Sequence, residues 1–124
     1  MQLTKTEEQL MQHLWELKKA FMKDLIDAYP KPKPAPTTIA TLLKRMGDKG
    51  FVGFKIYGNS REYYPLIAKA DYFSKHVNGL IKNFFNDSAS QFASFFTKRT
   101  NLTSRELEEL KDIIEEEIKR KKND

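Results

Sequence analysis

The sequence contains no cysteine, which excludes disulfides, cysteine-based zinc sites and thiol catalysis. It has no apolar run near the roughly 20 residues that a membrane span requires, and no signal-peptide pattern opens it. Its two histidines, His13 and His76, have no metal-ligand partners at a useful spacing. We therefore expect a soluble, cytoplasmic protein that holds no metal and no other cofactor.

Sequence motifs of catalysis are also missing. We find no nucleophile motif, no phosphate-binding loop and no paired acid and base. The acidic run Glu115–Glu117 lies beside Lys119 and Arg120, a pattern typical of a solvated helix face with pairs of opposite charge. The sequence predicts a protein that is not an enzyme.

Positive charge is concentrated in the middle of the chain. The protein has 124 residues, 40% of them hydrophobic, and a net charge of +5, which is an ordinary globular composition. Between Lys31 and Arg61 there are seven cations and a single anion, Asp48. A clustered basic patch is typical of a nucleic-acid-binding surface.

Residues 37–50 predict a helix with two chemically different faces. Its core stripe is Ile39, Leu42, Leu43 and Met46. Its other face is Thr38, Thr41, Lys44 and Arg45. We expect Thr37 to be the N-cap and Gly50 to end the helix. Hydroxyls at the start and cations further along suit a helix that enters a DNA major groove N-terminus first. The alternative is an ordinary solvated helix face.

Two shorter helices are predicted before this one. The capping box Thr4–Glu7 opens the first helix. The second has the apolar stripe Phe21, Met22, Leu25, Ile26 and Tyr29. It must end at Pro30, because proline disfavours helix in the residue before it. The segment 30–36 holds four of the five prolines and predicts a stiff turn.

After Gly50 the hydrophobic period changes to two, which predicts a β-hairpin. Val52, Phe54 and Ile56 alternate with other residues, residues 58–60 supply turn chemistry, and residues 61–66 return as a strand. A hairpin directly after a basic third helix is the element order of a winged helix. Lys55 and Arg61, near the hairpin tip, would then reach the DNA backbone beside the groove.

Three further helices are predicted from Asp71 onward, and their faces are unusually rich in phenylalanine. The apolar positions that we assign to a dimer interface are Phe73, Val77, Leu80, Ile81, Phe84, Phe85, Phe92, Phe95, Phe96, Leu107, Leu110 and Ile114. A three-helix unit this small has difficulty burying so much apolar surface alone, whereas a second copy would cover it. The alternative is an intramolecular core.

The predicted fold class is therefore mainly α with a small β-hairpin. Residues 1–68 form a winged helix-turn-helix DNA-binding domain, and residues 69–124 form a helical dimerisation region.

Several segments, in this order, resemble the BlaI/MecI family of bacterial winged-helix repressors. Leu3–Glu16 is similar to the family's opening helix, and Thr37–Gly50 is similar to its recognition helix. Tyr63–Leu66 resembles the end of the wing. Phe84–Ser88 and Leu102–Leu110 resemble the dimerisation region.

The resemblance implies a homodimer that binds a pseudo-palindromic DNA operator and blocks transcription. Matching positions of the family's third helix imply DNA contacts by Thr37, Thr38, Thr41, Lys44 and Arg45. For members released by a membrane-bound metalloprotease sensor, the alignment places the cleaved bond at Phe95–Phe96, where better-known members have Asn-Phe. The copper-responsive branch uses a C-terminal cysteine cluster, which this chain lacks, so we reject copper sensing.

Two other functions compete with a specific repressor. A winged helix can serve as a protein-interaction module, with its basic patch on an acidic partner and no specific DNA binding. A third hypothesis is a protein that coats DNA without sequence preference.

Overall fold

The computed structural model describes residues 2–124, which divide into two compact units on either side of the Ser74–Lys75 bond. The elements, in chain order, are α1 (Lys5–Leu17), β1 (Ala20–Phe21), α2 (Met22–Asp27), α3 (Pro36–Asp48), β2 (Val52–Tyr57), β3 (Ser60–Pro65), α4 (Lys69–Phe84), α5 (Ala89–Arg99) and α6 (Ser104–Lys122). The predicted fold class, mainly α with a small hairpin, is confirmed. No helix within residues 2–124 is both long enough and apolar enough to cross a bilayer.

The hydrophobic core of the first unit lies between α1, α2, α3 and the sheet. Its fully buried side chains include Leu10, Met11, Leu14, Leu25, Ile39 and Met46. The predicted stripe of α3 is confirmed, because Leu42 and Leu43 are also buried. Burying one such side chain contributes about 1.5–3 kcal/mol to folding. The stripe therefore fixes which side of α3 faces the solvent.

The sheet is antiparallel, with the strand order β1-β3-β2. Tyr57 pairs with Ser60, so the hairpin turn consists of Gly58 and Asn59. Ser60, which the sequence placed in the turn, belongs to β3. Gly58 has φ +62°, a backbone conformation that glycine adopts without a steric penalty.

Two predictions about helix starts are wrong. Phe21 does not belong to the second helix: it pairs with Glu62 of β3, and α2 begins at the next residue. Thr37 is not the N-cap of α3. That position is Ala35, and Pro36 is the first helical residue. Proline is favoured there because its missing N–H has no intrahelical partner at that position and its fixed φ suits the helix.

Gly50 ends α3 as predicted, and the geometry shows why. Its φ is +85°, its N–H donates to the Gly47 carbonyl (3.0 Å), and the Phe51 N–H donates to the Met46 carbonyl (2.9 Å). This pair of bonds satisfies carbonyl groups that the helix end would otherwise leave unpaired. The hairpin therefore starts at a defined point directly after α3.

The second unit consists of the later part of α4 together with α5 and α6. Ser88 caps α5 by accepting a hydrogen bond from the Gln91 N–H (3.1 Å), and Thr103 and Glu106 form the predicted capping box of α6. No residue of α5 or α6 is buried. The helices are thus well defined locally while their apolar faces stay open.

Tyr72, near the start of α4, packs into the core of the first unit. Only 4% of it is exposed, its hydroxyl donates to Glu8 Oε2 (2.7 Å), and the Leu3 N–H donates to that hydroxyl (3.3 Å). Trp15 and Phe51 lie against its ring. Tyr72 therefore anchors the start of α4 on α1.

Replacing Tyr72 by phenylalanine is expected to lower the free energy of unfolding by about 1 kcal/mol at neutral pH, the typical worth of such a hydrogen bond. Burial, together with the Glu8 carboxylate, raises the pKa of Tyr72 from 10.0 to about 12. Because the pKa of Tyr72 is raised in the folded state, its contribution to stability is fully present below pH 10 and is lost as the pH rises towards 12. Chemical denaturation across this range should show a steeper decline in wild type than in Tyr72→Phe. Parallel pH profiles for the two proteins would contradict the assignment.

Candidate nucleic-acid interface

The five predicted DNA-contacting residues of α3 all lie on its solvent side. They are Thr37, Thr38, Thr41, Lys44 and Arg45, and each is exposed. Because the opposite stripe is buried, these side chains share one accessible surface, which we call the α3 outer face.

Two members of the α3 outer face make local contacts. The Thr41 hydroxyl donates to the Thr37 carbonyl (2.9 Å), so its proton is committed to the helix and its oxygen remains an acceptor. Lys44 pairs with Asp48 at 3.4 Å, but both side chains are more than 70% exposed. An exposed pair of this kind is worth at most about 1 kcal/mol, so a phosphate can displace Asp48.

Glu7 connects the start of α1 with the end of α3. Its carboxylate is buried, and Oε1 accepts hydrogen bonds from the Thr4 N–H (2.8 Å) and from Lys49 Nζ (2.6 Å). Arg45 Nε lies 3.9 Å from Oε2. Burial alone would raise the pKa of Glu7, but the hydrogen bonds from Lys49 and Thr4 outweigh it, and the pKa is lowered. Glu7 is therefore an anion in the folded protein.

The sequence pattern predicts only half of this arrangement. The Thr4–Glu7 capping box is present as predicted. Its extension to Arg45 and Lys49 was missed, since these cations lie about 40 residues away in the sequence. Both cations are on the last turn and C-cap of α3, so one buried carboxylate orients that end of the helix.

The hairpin places Lys55 and Arg61 on opposite faces. Lys55 is opposite Glu62 and Arg61 is opposite Ile56, and neighbouring positions along a strand alternate in direction. The Arg61 guanidinium lies 4.3 Å from the centre of the Phe54 ring. An open groove of about 680 Å³ runs between α3 and the hairpin, and Lys44, Phe54 and Arg61 line it. Arg61 therefore shares a surface with α3, whereas Lys55 does not share that face.

Eleven of the twelve residues assigned to a dimer interface lie in the second unit, and Phe73 lies in the first, against Trp15 and Tyr72. In the second unit, Phe85 contacts Phe92 and Phe95. Several of the other side chains are open to solvent: Val77 (40%), Leu80 (43%), Phe84 (76%), Phe96 (36%), Leu107 (39%) and Ile114 (57%). The Phe95–Phe96 bond lies inside α5, with both side chains exposed.

His13 packs against the Tyr29 ring with 4.5 Å between ring centres. Within residues 2–124, no group of three His, Asp or Glu side chains is placed to hold a metal ion.

Comparison with known proteins identifies the family. Residues 3–116 match the sequence model of the penicillinase repressor family. The chain belongs to this family. The match covers most of the chain and confirms the resemblance drawn from the separate segments.

Curated relatives agree with this assignment. The chain is 27% identical to the penicillinase repressor of Bacillus licheniformis over 122 residues, which is 98% of this chain and 95% of that protein. It is 26% identical to the methicillin resistance regulatory protein MecI of Staphylococcus aureus strain N315 over 114 residues, 91% of this chain and 93% of the relative. The family is one of transcriptional repressors, not of enzymes.

Proposed function

We propose that this member of the penicillinase repressor family acts in the cytoplasm as a homodimer that binds a pseudo-palindromic DNA operator. The observation that carries the proposal is the α3 outer face, an exposed surface of threonine hydroxyls and cations on a helix whose other side is buried. Residues 1–68 serve as the DNA-binding domain and residues 69–124 as the dimerisation region.

On the DNA side, α3 enters the major groove with its N-terminal end. Thr37, Thr38 and Thr41 are the residues nearest the bases, and Thr41, which keeps only an acceptor, suits the amino groups of adenine or cytosine. Lys44 and Arg45 neutralise phosphates further along the groove. Arg61, on the hairpin, contacts the DNA backbone. It lines the protein groove between α3 and the hairpin and so lies on the same surface as α3.

On the dimer side, the open apolar faces of α4, α5 and α6 pack against their copies. Uncovered phenylalanine, leucine and isoleucine side chains on three successive helices form an apolar surface of the kind that marks a protein interface. A two-fold dimer also presents two copies of α3 to half-sites about 34–36 Å apart.

The test is a binding selection of the full chain on random genomic fragments at low and physiological salt. Selective, saturable retention of short palindromic fragments supports the repressor. Retention without sequence preference supports a DNA-coating protein, and no retention even at low salt supports a protein-interaction module.

Replacing Arg45 by alanine is expected to weaken operator binding about five-fold and to lower the slope of log affinity against log salt by about 0.9, the value for one lost phosphate contact. The measurement is fluorescence anisotropy at several salt concentrations. Arg99→Ala, an equal change of charge on α5, is the control and should leave the slope unchanged. An unaltered slope in Arg45→Ala would contradict a phosphate contact by Arg45.

A further inference from the structure

The carboxylate of Glu7 uses its two oxygens differently. Oε1 accepts hydrogen bonds from the Thr4 N–H and from Lys49 Nζ. Oε2 is buried and has no hydrogen-bond partner among residues 2–124, and Arg45 Nε lies 3.9 Å from it. Leaving a charged oxygen buried without a hydrogen bond is costly. The helix cap needs only Oε1, so capping alone does not explain the orientation of Oε2.

The Arg45 side chain is half-exposed. Its distance from Oε2 is too long for a hydrogen bond but within the range of an ion pair. Within the described chain its guanidinium makes this ion pair and no hydrogen bond. Its N–H donors therefore stay available to a ligand, while the ion pair with Glu7 limits where the side chain lies on the α3 outer face.

We propose that Glu7 is a positioning residue for DNA binding: Oε2 fixes the Arg45 guanidinium at the edge of the α3 outer face, where it meets a phosphate. The inference rests on the proposed function. Glu7 does not touch DNA. It acts through Arg45 by reducing the side-chain freedom that a phosphate contact would otherwise have to restrict.

Simple electrostatics predicts the opposite effect for this residue, which makes the inference testable. Removing a negative charge from a DNA-binding surface should strengthen binding, because the surface becomes more positive. If Glu7 positions Arg45, Glu7→Gln should weaken binding despite the added positive charge. Asp48→Asn removes one negative charge from α3 itself and serves as the charge-matched control, with stronger binding expected.

The experiment measures affinity and salt slope of the full-length variants on a fragment that wild type retains. Glu7→Gln is expected to bind about five-fold more weakly with a slope lower by about 0.9. Combined with Arg45→Ala, it should change affinity less than two-fold further, because the positioned group is gone. Thr4→Ala, which removes the other half of the capping box, should leave the salt slope unchanged.

Two outcomes would overturn the inference. One is equal or stronger binding by Glu7→Gln. The other is an equally large loss in the Arg45→Ala background, which would show a purely structural role. If Glu7→Gln does not fold, Glu7→Asp replaces it, since it keeps the charge and withdraws it from Arg45 by one methylene. A reduced slope then supports positioning, and an unchanged slope rejects it. Failure of wild type to bind any fragment selectively would instead reject the proposed function.

Discussion

Replacing Ile114 by glutamate is expected to convert the full chain from a dimer into a monomer at micromolar concentration. Ile114 is 57% exposed on α6, on the same side as Leu107 and Leu110. In the proposed dimer a partner helix covers this side. A carboxylate there would be buried without a partner, which costs several kcal/mol and raises the dissociation constant by more than about 100-fold.

Operator affinity should fall when dimerisation is lost. Joining two DNA-binding units makes the second half-site contact intramolecular, a gain of about 10²–10⁴ in affinity that a monomer loses. Sedimentation equilibrium gives the mass, and anisotropy gives the affinity. Lys119→Gln changes the net charge equally but lies on another side of α6, and it should remain dimeric. A monomeric wild type, or an Ile114→Glu protein that stays dimeric, would contradict the interface.

Replacing Met46 by alanine is expected to lower the free energy of unfolding by about 2–5 kcal/mol. Met46 is fully buried on the inner stripe of α3, so its truncation leaves a cavity between α3 and the core. Such a loss is a large share of the 5–15 kcal/mol that typically stabilises a domain.

The matched control for Met46 is Lys44→Ala on the opposite side of the same helix. Lys44 is exposed, so its loss should change stability by no more than about 0.5 kcal/mol while weakening DNA binding. Urea denaturation of the two variants beside wild type measures the change in the free energy of unfolding that each substitution causes. Comparable destabilisation by both substitutions would mean that α3 has no distinct inner and outer side.

Local patterns in the sequence predicted local structure well. The α3 stripe, the Gly50 terminus and the capping boxes at Thr4 and Thr103 each depend on residues within a few positions of one another. Helical periodicity and capping chemistry act over that distance, so one sequence is sufficient to identify them.

Features that depend on distant partners were not predictable in the same way. β1 has only two residues and exists because Ala20 and Phe21 pair with β3, some 40 positions later. Periodicity placed Phe73 on the apolar stripe of α4, but the side chain that fills the core of the first unit is its neighbour, Tyr72. Such contacts follow from tertiary packing, which overrides local propensity.

Chemical footprinting of a selected fragment, with guanine N7 methylation to report the major groove, tests most directly whether paired copies of α3 read DNA. We predict two protected major-groove segments about one helical turn apart, related by the fragment's dyad, and we expect the Arg45→Ala protein to protect both only at about five-fold higher concentration. Uniform protection along the fragment, or half-maximal protection by wild type and Arg45→Ala at the same concentration, would contradict this reading of DNA by α3.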